Sequence, residues 1–188
     1  MTWHLTSVDS AAPAPWRNGG GVTRELAAQP PGAGWTWRIS VAEVAADGPF
    51  SRFAGVQRWF AVLGGTGVIL KVADAQHRLT LASAPLSFDG EQPVECELLH
   101  GPTRDLNLMV RRDRASAQMA RIKGVRHLMA TRPKVVAIYA VDEAAQVRHE
   151  GDSIVVAPGS LAWASLPAGA EVAVTAASAL WMEIEPWA

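Results

Sequence analysis

"RWFAVLGGTGVILKV", Arg58 to Val72, decides what kind of fold to expect. Two apolar, β-branched runs lie on either side of the cluster Gly64-Gly65-Thr66-Gly67. Runs of this kind, broken by glycines, read as two strands around a tight turn, and the stretch is expected to form a hairpin. The same pattern extends outward. In "WTWRISVAEV", Trp35 to Val44, Trp35, Trp37, Ile39 and Val41 share one face, while Thr36, Arg38 and Ser40 share the other. "HRLTLAS", "VECELLH" and "DLNLMVRR" continue the series before residue 113, and "KVVAIYAV", "QVRHEGDSIVVAP", "LAWASL", "EVAVTAAS" and "ALWMEIE" continue it after residue 133. Helical periodicity is scarce, and only "DRASAQMARI", residues 113–122, reads as a helix. So many short strands at close spacing predict an all-β sandwich or barrel rather than alternating β-α units.

The strands fall into two halves. The expected organisation is an N-terminal barrel over residues 1–112, a basic connecting segment over 113–134, and a smaller C-terminal barrel over 135–188. Arg111 to Lys134 holds eight basic residues and one acid, Asp113, which leaves nine basic and seventeen acidic residues elsewhere. That stretch has no Phe, Tyr or Trp, so it reads as a solvated connector and not as a nucleic-acid surface. The net charge of −1 gives no general pull toward nucleic acid or an anionic membrane. Cys96 is the only cysteine, which fits a reducing compartment. The first residues lack a basic start followed by an apolar run, and no apolar stretch is long enough to span a bilayer. The expectation is a cytoplasmic protein.

Several site types can be weighed from motifs. "PWRNGGGVTREL", Pro15 to Leu26, has neither the lysine nor the following helix of a phosphate loop, nor the strand and crossover helix of a dinucleotide fold. It reads as a turn beside arginines able to receive a carboxylate. His4, His77, His100, His127 and His149 are dispersed, so no metal or other cofactor is expected. No G-x-S-x-G elbow is present, and Cys96 lies in an alternating strand as a core residue would. The informative polar residues are arginines on strand faces. Arg58 shares its side with Phe60 and Val62, and Asp105, Asn107, Met109 and Arg111 share another face. A guanidinium pointing inward needs a partner, either an internal carboxylate or an anionic ligand held bidentately.

"PWRNGGGVTREL", "WRISVAEVAADGPFSRFAGVQR", "LGGTGVIL" and "LLHGPTRDLNLMVRR" together resemble the HutD/Ves family, from about Pro15 to Arg112. The resemblance implies a bicupin, two cupin-like barrels in one chain, and a regulatory or ligand-sensing role tied to histidine utilisation. It does not separate the HutD branch from the Ves branch. Metal-binding cupins carry His-x-His, a short gap, then Glu about seven residues before a turn glycine. With Gly65 as that glycine, Arg58 stands at the Glu position, and Ser51 and Phe53 stand at the histidine positions. In the later half Gly151 and Gly159 match the second motif, but Ala157 replaces its Pro and Ala162 its His. On this comparison the pocket holds a carboxylate in place of a metal.

The resulting expectation is a metal-free binding protein for a small carboxylate. The resemblance suggests a histidine-degradation intermediate such as urocanate or a formylated glutamate. Arg58 would pair with the carboxylate, and Arg38, Ser40, Asn107 and Arg24 would add polar contacts between Trp and Phe walls. Two other readings stay open. One is a metal-independent isomerase or lyase with Glu25 or Asp105 as general base. The other is an interaction scaffold whose Arg111–Lys134 segment meets an acidic partner. A homodimer is also left open.

Overall fold

The computed structural model describes residues 1–187 and is built from β-strands, with no helix among them. In chain order the strands are β1 (His4–Ser7), β2 (Pro13–Pro15), β3 (Gly21–Gln29), β4 (Trp37–Val44), β5 (Gly48–Pro49) and β6 (Val56–Gly64). They continue with β7 (Val68–Val72), β8 (Ala75–Leu79), β9 (Leu86–Asp89), β10 (Val94–Leu98) and β11 (Thr103–Arg111). The last six are β12 (Ala115–Met129), β13 (Lys134–Ala140), β14 (Ala145–His149), β15 (Asp152–Val156), β16 (Ser160–Leu166) and β17 (Glu171–Pro186). The chain divides into two compact units: Ala12–Arg114, and Met1–Ala11 together with Ala115–Ala188. No helix is long and apolar enough to cross a membrane.

The Ala12–Arg114 unit has two sheets. One runs β2-β3-β4-β11-β6-β9 and the other β5-β10-β7-β8. Its core joins Ala42, Val44, Phe60, Val62 and Phe88 of the first sheet to Val68, Leu70, Leu79, Val94 and Cys96 of the second. This is how a sandwich satisfies strands that alternate apolar and polar residues: each sheet turns its apolar side inward. Cys96 belongs to that core. Burial, together with the charges of Asp105 and Asp47, pushes its thiol up to about 12, which leaves it unreactive.

The hairpin expected at Arg58–Val72 does not form. β6 pairs with β11 and β9, while β7 pairs with β10 and β8 in the other sheet. The glycine cluster is therefore a corner between sheets. Gly65 has φ +85°, and a Cβ there would lie 2.5 Å from the carbonyl oxygen of Pro102. At Gly67 φ is +112°, and a Cβ would lie 2.2 Å from the carbonyl oxygen of Leu79. The chain needs glycine here to pass close to neighbouring backbone, not to close a two-residue turn.

The other unit carries a single sheet, β1-β16-β13-β17-β14-β15, with β12 also paired to β17. Val136, Ile138, Ala162, Leu166, Val174 and Trp181 are among the residues of its core. The basic stretch read as a connector is mostly β12, and the helix expected at residues 113–122 is strand from Ala115 onward. β12 runs antiparallel to β17 from Ala115↔Pro186 to Met129↔Glu171. Ala115, Met119 and Ile122 are buried among more exposed residues, so the strand covers the apolar β17, and its two arginines, Arg121 and Arg126, are half-buried.

Candidate functional site

Strand register assembles the site. Arg38 of β4 and Arg58 of β6 both stand opposite Met109 of β11, so the three side chains form one row. Ser40, Asn107 and Phe60 form the next row, and Ala42, Asp105 and Val62 the one beyond. Phe88 of β9 pairs with Arg58 on its other side. Successive residues alternate faces, so rows two residues apart along each strand share the inward face.

This face lines a cavity of about 580 Å³, with Trp16, Phe50, Phe53 and Met109 as its large apolar walls. Polar groups reach it from Thr23, Ser40, Ser51 and Asn107, and charge from Arg17, Arg38 and Arg58. No carboxylate lines it.

Arg58 is 7% exposed. Its Nη2 donates to Asn107 Oδ1 at 2.9 Å, and its Nη1 makes a long contact of 3.4 Å with the carbonyl oxygen of Ser51. Its Nε has no partner. Among the described residues no carboxylate lies within ion-pair distance of it. The guanidinium is held instead over the rings of Phe50, Phe53 and Phe88, at 5.2, 5.8 and 5.2 Å. Burial, with a smaller contribution from Arg38, pulls its pKa down to about 10, so it stays protonated at neutral pH.

Arg38 differs in being already paired. Its Nε donates to Glu25 Oε2 at 2.7 Å. Glu25 stands opposite Ser40 across β3 and β4, beside a register shift between Glu25 and Ala27, and it does not line the cavity. Arg24 stands opposite Val41, on the other face of the sheet, where its Nη1 donates to Glu43 Oε1 at 2.6 Å. Its expected ligand contact is therefore corrected: side-chain alternation turns it away from the cavity.

Asp105 is also outside the lining, although Ala42 in the same row belongs to it. It is 0% exposed; its Oδ2 accepts from the Thr103 hydroxyl at 2.8 Å, and its Oδ1 has no partner. Burial pushes its carboxyl up to about 7, and the Thr103 hydrogen bond offsets only part of that. Of the seven expected site residues, the cavity thus gathers Arg58, Arg38, Ser40 and Asn107.

The turn that precedes β3 supplies the rest of the rim. Trp16 N donates to Gly21 O at 2.9 Å and Gly19 N to Trp16 O at 3.0 Å, which closes the turn on itself. Trp16 Nε1 donates to Thr23 Oγ1 at 2.8 Å, and the Trp16 ring meets Phe50 edge-on at 6.1 Å. A Cβ on Gly21 would lie 2.5 Å from the Glu43 carbonyl oxygen and 3.1 Å from the Trp16 ring. Glycine is needed there for the indole to lie against the strand. Sequence reasoning singled out this turn but not its place on the cavity; "PWRNGGG" was the available signal.

The residues present do not suit a metal. Where metal-binding cupins place two imidazoles and a carboxylate, this cavity has Ser51, Phe53 and Arg58. A fixed cation repels a metal ion, and neither Ser51 nor Phe53 supplies a strong ligand. Among the described residues no three His, Cys, Asp or Glu side chains converge to hold one elsewhere.

Comparison with known proteins places this geometry in a lineage. A sequence profile of the HutD family matches residues 9–182. The chain belongs to the HutD family. An uncharacterized 21.2 kDa protein in the hutC 3′ region of Pseudomonas putida is 34% identical over 142 residues, 74% of each chain. Protein Ves of Cronobacter sakazakii is 41% identical over 105 residues, 55% of this chain and 58% of that one. The structure of HutD from Pseudomonas fluorescens SBW25, described in a formate condition, superposes over 100% of both chains with a TM-score of 0.84 at 28% identity. A cupin 2 conserved barrel domain protein from Leptotrichia buccalis, at 13% identity, covers 89% of each chain with a TM-score of 0.54. The fold of this HutD-family chain is therefore all-β and cupin-like.

Proposed function

We propose that this HutD-family protein binds a small carboxylate in the Ala12–Arg114 cavity, through Arg58 and without a metal. One observation carries the reading: Arg58 is a buried, protonated guanidinium with no carboxylate partner and an unbonded Nε. An isolated buried charge is costly, and removing its desolvation penalty requires an opposite charge. A carboxylate matches the planar guanidinium with two parallel hydrogen bonds, and Asn107 holds that guanidinium in place. Ser40 and Asn107 offer further polar contacts, and the aromatic walls exclude water.

The binding role is that of a cytoplasmic ligand sensor in histidine utilisation, each of the two compact units being one cupin-like barrel. The genomic setting of the Pseudomonas putida relative supports that context. Formate, the smallest carboxylate, is the first probe. Titration calorimetry of the full chain with formate and acetate is expected to give saturable binding that Arg58→Gln abolishes. Absence of binding in the wild type, or equal binding by the variant, rejects the proposal. A circular dichroism spectrum matching the wild type shows that the variant is folded.

A further inference from the structure

β12 is a sheet edge. It pairs with β17 along one side and, among the described residues, with no strand along the other. A strand of 15 residues with one side unpaired presents a row of backbone N–H and C=O groups to any extended chain. A bulge divides it: the register shifts between Ile122 and Gly124, where φ is +92°. Before the bulge Ala115, Met119 and Ile122 are buried. After it the strand is regular and largely open. Val125, His127 and Met129 are exposed on one face, opposite Thr175, Ala173 and Glu171 of β17. Val125 and Met129 are each 61% exposed, on a face where an antiparallel sheet ordinarily carries polar residues. On the other face Leu128 packs against the core and Arg126 lies over the Trp181 ring.

Charge selects what can pair there. β12 carries Arg121, Lys123 and Arg126 and no acid. A second copy placed edge to edge offers those cations no acid in any register, and a lysine beside a bulge is a device by which edges resist such pairing. An acidic chain meets the same cations favourably. Lys123 is exposed, and Arg126 reaches Glu183 only at 3.4 Å, with its Nε unpartnered. β12 has no aromatic residue on which a base could stack, which sets it apart from a single-strand nucleic-acid surface. We infer that residues 123–129 are a docking edge for an extended acidic segment of another protein, which joins the sheet as a strand beside β12. Backbone hydrogen bonds supply the pairing. Apolar side chains beside Val125 and Met129, and carboxylates beside Lys123 and Arg126, select the sequence. The edge belongs to the unit that contains Ala115–Ala188, so the inference does not depend on what Arg58 binds.

The probe is a capped heptapeptide alternating valine and glutamate, titrated into the full chain by calorimetry and located by amide hydrogen exchange. Saturable binding is expected, with slowed exchange confined to residues 123–129, and the valine–lysine counterpart should not bind. Two N-methylated peptides test the backbone pairing. Methylation at the valines removes one row of N–H groups and methylation at the glutamates the other, so one form is expected to bind and the other not. Lys123→Glu, at an exposed position, is expected to weaken the valine–glutamate peptide about fivefold, the scale of an exposed ion pair. No binding, equal binding by the lysine peptide, or unchanged affinity in Lys123→Glu overturns the inference. Loss or survival of binding in both methylated forms overturns strand addition. Tighter binding of an oligothymidylate at the same residues assigns the edge to nucleic acid instead. Protection of residues 123–129 that grows with protein concentration in the absence of peptide assigns it to a second copy.

Discussion

The two units solve the same electrostatic problem in opposite ways. Each holds an arginine against an aromatic ring: Arg58 over Phe50 in one, Arg126 over Trp181 in the other, both at 5.2 Å. In the second unit a carboxylate answers the cations. Glu183 accepts from Lys134 Nζ at 2.8 Å, from Trp181 Nε1 at 2.8 Å and from Arg126 Nη2 at 3.4 Å. Lys134 also reaches Glu185 at 2.7 Å. In the first unit no such carboxylate is present, and a cavity opens at the arginine. An internal partner closes a charged site; leaving it out reserves the cation for something from outside.

The comparison breaks most sharply at Glu183. Glu183→Ala strips the carboxylate from a buried Lys134 and from Arg126, whose Nε already lacks a partner. Breaking a buried pair on one side costs about 3 to 5 kcal/mol, and the remaining Lys134–Glu185 contact favours the lower end. Denaturant unfolding of the full chain is expected to show that loss. A change below 1 kcal/mol means the network is not what stabilises the unit.

The units also differ in their response to pH, with opposite signs. Burial raises the Glu183 pKa, but hydrogen bonds from Lys134 and Trp181 outweigh it, and the net shift is below the ordinary 4.5. Its stabilisation is present above that value and is lost as pH falls through the lowered one. Asp105 is pushed by burial from 3.8 to about 7, so the folded unit keeps a proton that the unfolded chain has released. Its contribution is full below about 4, falls as pH rises toward 7, and is gone above it, a change on the order of 2 to 4 kcal/mol. Unfolding midpoints are expected to fall between pH 5 and pH 8 in the wild type and to fall much less in Asp105→Asn. An equal pH slope in the variant assigns the titration elsewhere.

Arg58→Met should act in the opposite direction from Glu183→Ala. It replaces a lone buried charge with a flexible apolar chain among three phenyl rings. Replacing buried charge with apolar volume is often stabilising, here by about 1 to 2 kcal/mol in the absence of ligand. The same variant is expected to lose carboxylate binding. A destabilised Arg58→Met means that the Asn107 hydrogen bond outweighs the desolvation penalty.

Strands and faces were legible in the sequence because alternation is local. Arg38 and Ser40 opposite the Trp37–Ile39 stripe, and Arg58 beside Phe60, follow from a period of two. Pairing was not legible. Gly64–Gly67 carries the same composition whether it closes a hairpin or turns a corner between sheets, and only the approach of Pro102 and Leu79 distinguishes them. β12 was hidden for a different reason: its arginines and small residues look solvated until β17 is alongside. Local pattern was enough to put Arg58 and Asn107 on the face that lines the cavity. It did not show that Asp105 is buried outside the lining, or that Arg24 lies on the other face of β3.

The smallest expected effect tests whether partial neutralisation inside the cavity follows the same rule. Arg38 lies between the extremes: it lines the cavity beside an unpaired Arg58, yet Glu25 offsets it as Glu183 offsets Lys134. Glu25 is exposed, so its bond to Arg38 is worth only about 0.2 to 1 kcal/mol, and Glu25→Gln should leave stability nearly unchanged. What changes is the field in the cavity, where Arg38 is then uncompensated. Affinity for a monocarboxylate is expected to rise about twofold, and the gain should shrink as added salt shortens the screening length. Arg38→Gln in the same background should cancel it. A gain that persists in the double variant would mean that Glu25 acts on the ligand directly and that Arg38 is not part of the site.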